Sequence, residues 1–199
     1  MHPAPYFRET DPETLLERIR AYPLGLVCVN GETAPLAAHT PVLAAMDRGA
    51  PRLRFHLSAH NPVSRRLEAG AAALIVFTGP DAYISPDWYG PVPNQVPTWN
   101  YLSVEAEGTV APTDATKFLD DVSAHFEALL MPKPPWTRAK MASGSFEMML
   151  RGIRAFELTP LRFEGISKLS QNKTSEAREG VIEGLGDHPV AAAMRMLKK

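Results

Sequence analysis

Four short segments of this 199-residue chain concentrate side chains able to bind or react. The first, Phe55 to Pro62, carries His56, Ser58, His60 and Asn61 where an apolar alternation gives way to a proline-started helix. Hydroxyl, imidazole and amide groups at such a turn lie beside free backbone N–H groups and the positive end of the helix dipole, which favours an anion. Arg65 and Arg66, one turn on, add countercharge. A polar helix cap with solvated arginines would carry the same residues. The second segment, Phe77 to Tyr89, uses glycine and proline to fix a loop bearing three aromatic rings, a composition suited to packing. The third, Val96 to Tyr101, sets Trp99 beside Asn100. A flat ring next to an amide suits one face of a planar heterocycle, and equally a core tryptophan with a satisfied amide. The fourth, Lys168 to Lys173, joins Ser170, Gln171 and Asn172 to two lysines. Neutral donors and acceptors with Lys168 as charge fit a phosphate or a carbonyl-rich ring; a solvated loop has a similar composition.

Signatures of generic catalysis are missing. The chain has no Gly-x-Gly-x-x-Gly after a strand, no phosphate loop, no His-Glu-x-x-His and no Gly-x-Ser-x-Gly elbow. No catalytic acid, base or nucleophile is identifiable, and no metal site is expected. His56 and His60 have a helical metal-pair spacing, but a strand ends between them, so they would not share a face. The single cysteine, Cys28, excludes an internal disulfide framework, and its apolar run Leu24 to Val29 suits a buried, inert thiol. A net charge of −1 gives no general attraction to nucleic acid, and no helix-turn-helix with a basic recognition helix is evident. No apolar run approaches the ~20 residues of a membrane span, and the N-terminus lacks signal-peptide features. The cytoplasm is the expected compartment.

The elements that must position these segments follow from caps, alternation and proline. Asp11-Pro12 opens a helix with Leu15, Ile19 and Tyr22 on one face, ended by Pro23. Strands are expected at Leu24–Val29, Leu36–Ala44, Leu53–Leu57, Ala71–Phe77, Ala82–Ser85, Trp99–Val110, Ile153–Leu161 and Arg162–Ile166. Gly79-Pro80 is read as a stop, and Pro41 as marking an edge, a bulge or a ligand-facing kink. Helices are expected after Asn61-Pro62, over Asp114–Leu130, at Phe146–Leu150 and at Pro189–Leu197 with a basic Lys198-Lys199 end. Nineteen prolines and runs of strands without intervening helices suit a small barrel better than a doubly wound sheet. With 45% hydrophobic residues and no linker, one domain over 1–199 is expected.

In order, His39-Thr40-Pro41, His56-Leu57 with Asn61-Pro62, Gly79 to Tyr89, Val96 to Tyr101 and Lys168 to Asn172 resemble the PaiB family of FMN-binding negative transcriptional regulators. That family is a branch of the FMN-binding split-barrel superfamily, with pyridoxamine phosphate oxidases and flavin reductases as relatives. The similarity runs from about Tyr6 to Leu185. It implies a mainly β, six-stranded Greek-key split barrel with peripheral helices, with residues 165–199 as a C-terminal extension completing the site. It implies FMN as cofactor and a homodimer with flavin sites at the subunit interface. On the resemblance, His39, Thr40 and Pro41 follow the isoalloxazine edge. Ser58 and Asn61 fall where split barrels grip the phosphate, flanked by His56 and Arg65. Trp99, Asn100, Lys168, Ser170 and Gln171 complete the pocket. The chain departs from the family at Ser58-Ala59-His60, where Ala-Arg-Ala is expected, at Asp87, which replaces a serine, and in the short lysine-free loop after Tyr89.

The function so implied is a flavin-binding regulatory or sensory protein, acting through flavin state or a protein partner rather than by direct DNA contact. The alternatives are an FMN-dependent oxidoreductase or flavin reductase, and a haem-binding split barrel with His39, His56 or His60 as axial ligand.

Overall fold

The computed structural model describes residues 2–197; the expected Lys198-Lys199 end lies outside them. Among the described residues there are seven strands: β1 Arg8–Glu9, β2 Leu24–Val29, β3 Leu36–Asp47, β4 Ala50–Ser58, β5 Ala73–Ile84, β6 Thr98–Pro112 and β7 Ile153–Lys168. They follow the order β1-β7-β4-β3-β2-β5-β6, and β6 also pairs with β7, which closes β2 to β7 into a six-stranded barrel. The α-helices are α1 Pro12–Ala21, α2 Pro62–Glu68, α3 Ala115–Ala128, α4 Ser145–Leu150, α5 Ser175–Leu185 and α6 Pro189–Met196. No helix among the described residues is long and apolar enough to cross a membrane.

Local chemistry starts the helices where the sequence indicates. Asp11 accepts from the Thr14 N–H at 2.9 Å and from its hydroxyl at 2.6 Å before α1. Asn61 and Asp114 cap α2 and α3 in the same way. The buried face of α1 is Leu15, Leu16 and Ile19, whereas Tyr22 is 39% exposed rather than part of that face.

Prolines sit within three long strands, Pro41 and Pro80 where the sequence suggested an edge or a stop and Pro160 inside an expected strand, and the ladders explain how. Beside β3, the ladder to β2 ends at Leu24↔Pro41 and the ladder to β4 begins at Val42↔Phe55. In β5, pairing with β2 covers Leu74 to Val76, so the strand continues through Gly79-Pro80 with no β2 partner needing the missing proline N–H. In β7, pairing with β4 ends at Leu158 and pairing with β1 uses Gly165 and Ile166, leaving Pro160 between the two. The expected pairs of short strands are therefore single strands of 12 and 16 residues. Helix α5, absent from the sequence reading, is capped by Thr174.

The described residues group into two compact units, each assembled from separate stretches of chain. The larger takes residues 19–77 and 105–163. Its barrel interior is filled by alternate residues of each strand, among them Val27, Leu53, Phe55, Ile75, Phe156 and Leu158, all fully buried. On the outside of β4 and β7, α3 lays Phe118 and Val122 over Ala155. Cys28 points away from the interior and is half-buried, not buried as the apolar run suggested; burial still pushes its thiol pKa up. The smaller unit takes residues 2–18, 78–104 and 164–197. Its core gathers Ile84, Tyr89, Leu169, Val181, Val190 and Met194 from β5, the 3-10 turn Pro86–Tyr89, the end of β7, α5 and α6.

Candidate functional site

In the larger unit, β3 and β4 set His39, Pro41, His56 and Ser58 on the outward face, since Val42, Phe55 and Leu57 point inward. His39 is exposed and Pro41 half-buried. Thr40 points the other way and is 3% exposed. Its hydroxyl donates to the His56 carbonyl at 2.6 Å, bridging the two strands near the point where β3 changes neighbours. Thr40 thus holds the strands in place rather than presenting a free hydroxyl.

His56 lies beneath α3, its ring 5.5 Å from that of Phe118. Its Nδ1 is buried and has no hydrogen-bond partner. Burial holds the imidazole pKa below its usual value. The neutral ring is therefore favoured on folding. As pH falls below the unfolded value of about 6.5, the unfolded chain takes up a proton that the native ring resists, and stability declines. His56→Gln should flatten the stability profile between pH 7 and pH 5, read as urea midpoints; an unchanged slope would refute the assignment.

The turn after β4 is dense with polar contacts. Ser58 Oγ accepts from the His60 N–H at 3.2 Å, and Asn61 Oδ1 accepts from the Val63 N–H at 2.9 Å. Arg65 Nη2 donates to the His60 carbonyl at 3.4 Å. Arg66 is engaged with Glu32 at 3.0 Å. The Ser58 hydroxyl hydrogen, the Asn61 amide hydrogens and most of the Arg65 guanidinium remain available. His56 lies within β4, and His60 lies beyond its end at Ser58.

In the smaller unit a second set converges. Asn100, 1% exposed, donates to Ser170 Oγ at 2.9 Å. Ser170 is itself buried and holds a left-handed backbone, φ 61°. Lys168 Nζ donates to Thr98 Oγ1 at 2.5 Å and to the Trp99 carbonyl at 2.6 Å. Burial and the nearby Lys173 both lower its pKa. The Trp99 ring is 53% exposed and meets Tyr83 edge-on at 6.3 Å. Gln171 folds back on its own loop, accepting from the Leu169 N–H at 2.7 Å and donating to the Ser167 carbonyl. It shapes the loop instead of reaching outward.

Thr98, Asn100, Lys168 and Ser170, but not Trp99 or Gln171, line a cavity of about 210 Å³ together with Tyr6, Tyr89 and Lys173. Sequence reading did not select Tyr89 and Lys173 as site residues; they lie more than eighty positions apart, and neither carries a local signal beyond packing or solvation. Among the described residues, no group of three or more His, Cys, Asp or Glu side chains is arranged to hold a metal ion.

Comparison with known proteins places this geometry. Residues 1–160 match the family described as "Putative FMN-binding domain". The Bacillus subtilis "Protease synthase and sporulation protein PAI 2" is 28% identical over 192 residues, covering 96% of this chain and 92% of that protein. Among solved structures, the FAD and heme binding protein from Mycobacterium smegmatis has a TM-score of 0.58 at 19% identity, covering 89% of this chain and 80% of that one. The flavocytochrome Anf3 from Azotobacter vinelandii has a TM-score of 0.61 at 16% identity, covering 84% of this chain and 72% of that one. These two likenesses are in fold.

Proposed function

The chain belongs to the PaiB-like family of FMN-binding split barrels, and from that membership we propose that it is a cytoplasmic FMN-binding regulatory or sensory protein working as a homodimer. The observation that carries the assignment is the donor set after β4. The Ser58 hydroxyl, the Asn61 amide and the Arg65 guanidinium stand at one turn with hydrogens not spent on the protein. A phosphate needs several such donors and a positive charge, so the chemistry of the turn fits the nucleotide's terminal group. His39 and Pro41, on the outward face of β3, are assigned to the flavin ring edge.

FMN supplies one- and two-electron redox chemistry when bound. The chain's own part is to bind and orient. Thr40 fixes the spacing of β3 and β4, and Ser58 and Asn61 hold the anion. In the other unit, Trp99, Asn100, Lys168, Ser170 and Gln171 are assigned to the flavin pocket at the subunit interface, as the resemblance implies. A regulatory output then follows from flavin state or through a protein partner.

Fluorescence quenching of FMN and riboflavin by the full chain tests the proposal. Wild type should bind FMN more tightly than riboflavin. Asn61→Asp keeps a good helix cap but puts a carboxylate against the phosphate. It should weaken FMN about tenfold, the scale of a lost charge-assisted hydrogen bond, and leave riboflavin unchanged. Wild-type protein that ignores micromolar FMN would sink the proposal. Equal losses for both ligands would remove the phosphate assignment. Light scattering of the eluting protein reads the dimer; a monomer mass would overturn that part.

A further inference from the structure

The smaller unit has a pocket whose charge is not balanced by the protein. Lys168 and Lys173 both line it, and no carboxylate does. Lys168 is held by two neutral acceptors, Thr98 Oγ1 and the Trp99 carbonyl. Lys173 donates to Gln95 Oε1 and lies over the Tyr89 ring, with Nζ 4.5 Å from its centre. Two ammonium groups near each other in a half-buried pocket repel, and neutral partners do not cancel that repulsion.

An independent feature points to the same place. Tyr89 is 3% exposed, and its hydroxyl is buried with no hydrogen bond of its own. Burial raises the phenol pKa, and the Ser170 hydroxyl, close enough to interact but not placed for a hydrogen bond, offsets part of that rise. A buried hydroxyl without a partner costs free energy unless something else accepts its proton. Asn100 and Ser170 stand beside it, already oriented by their mutual hydrogen bond. Donors, positive charge and an aromatic wall thus surround a space lacking an anionic acceptor.

We propose that the pocket lined by Lys168, Lys173 and Tyr89 binds the phosphate or carboxylate group of a small ligand. At about 210 Å³ it falls below the ~300–1,000 Å³ of sites that enclose drug-sized ligands, so it takes one anionic group and little more. The two lysines supply the charge, and the Tyr89 hydroxyl donates the hydrogen bond it lacks within the protein. This inference stands without the flavin assignment to the turn after β4.

Calorimetric titration of the full chain with sodium phosphate, against sodium chloride of matched ionic strength, tests it. Wild type should bind phosphate. Lys173→Met should weaken binding about tenfold. Tyr89→Phe should weaken it severalfold while leaving thermal stability equal or higher, because the variant deletes an unsatisfied buried hydroxyl. No phosphate binding beyond the chloride control, or wild-type affinity in both variants, would overturn the proposal. Competition identifies the source of the anion. Displacement of phosphate by FMN but not by riboflavin would make the nucleotide's own phosphate the occupant and move it from the Ser58 turn. Phosphate binding alongside FMN would make the occupant a separate small anion. Phosphate binding in a protein that binds no flavin would leave this pocket standing and remove the flavin reading.

Discussion

Phe156→Ala should lower stability by about 3–5 kcal/mol, the cost of truncating a fully buried phenylalanine into a site that cannot collapse. Phe156 is 0% exposed and lies directly across the ladder from Phe55, with ring centres 5.6 Å apart. Strands bonded on both sides cannot move inward to fill the gap, so most of the lost contact stays lost. Against a total of about 5–15 kcal/mol for an ordinary domain, that is a large share. The urea midpoint should fall steeply with little change in slope. A loss below about 1 kcal/mol would mean that Phe156 is not packed as described.

Gly180→Ala should also destabilise, against the expectation from helix propensity. In an exposed helix interior, glycine costs about 1 kcal/mol relative to alanine, so the substitution would normally help. Here a methyl group at position 180 would overlap the Trp88 carbonyl oxygen, and one at position 184 would meet the Trp88 ring. The two glycines, one helical turn apart on α5, form a seat for the turn Pro86–Tyr89. Overpacking of this kind costs about 1–3 kcal/mol, and because backbone must yield, the upper end is expected. Thermal unfolding of the full chain measures it; an unchanged or higher midpoint would show that α5 does not rest on Trp88.

The barrel was legible where one residue type signals one conformation. Alternation in Leu53 to Leu57 and the Asp114 cap gave β4 and α3 directly. What misled was proline. Pro80 looked like a strand end because a proline cannot serve a ladder on its N–H side, and Pro160 fell just before the break expected between Leu161 and Arg162. They lie in uninterrupted strands because each falls where the ladder to one neighbour has run out. Such a handover depends on partners far away in sequence, which no local window contains. Helix α5 was hidden for a related reason: Gly180 and Gly184 weaken the helical signal, and only the contact with Trp88, far away in sequence, accounts for them.

The polar residues were easier to find than their roles. Asn100, Lys168 and Ser170 meet at one cavity. Thr40 and Gln171, by contrast, spend their side chains on backbone carbonyls and a backbone N–H. Residue type reveals that a group can donate, but only geometry shows whether its hydrogen is already committed.

Strand β1 pairs with the far end of β7, Arg8 opposite Ile166 and Glu9 opposite Gly165. During synthesis, β1 thus waits for a segment made more than 150 residues later before its backbone finds a partner. The smaller unit is a late assembly by construction: neither its sheet edge nor its two-lysine cavity can exist on a nascent chain halted before residue 164.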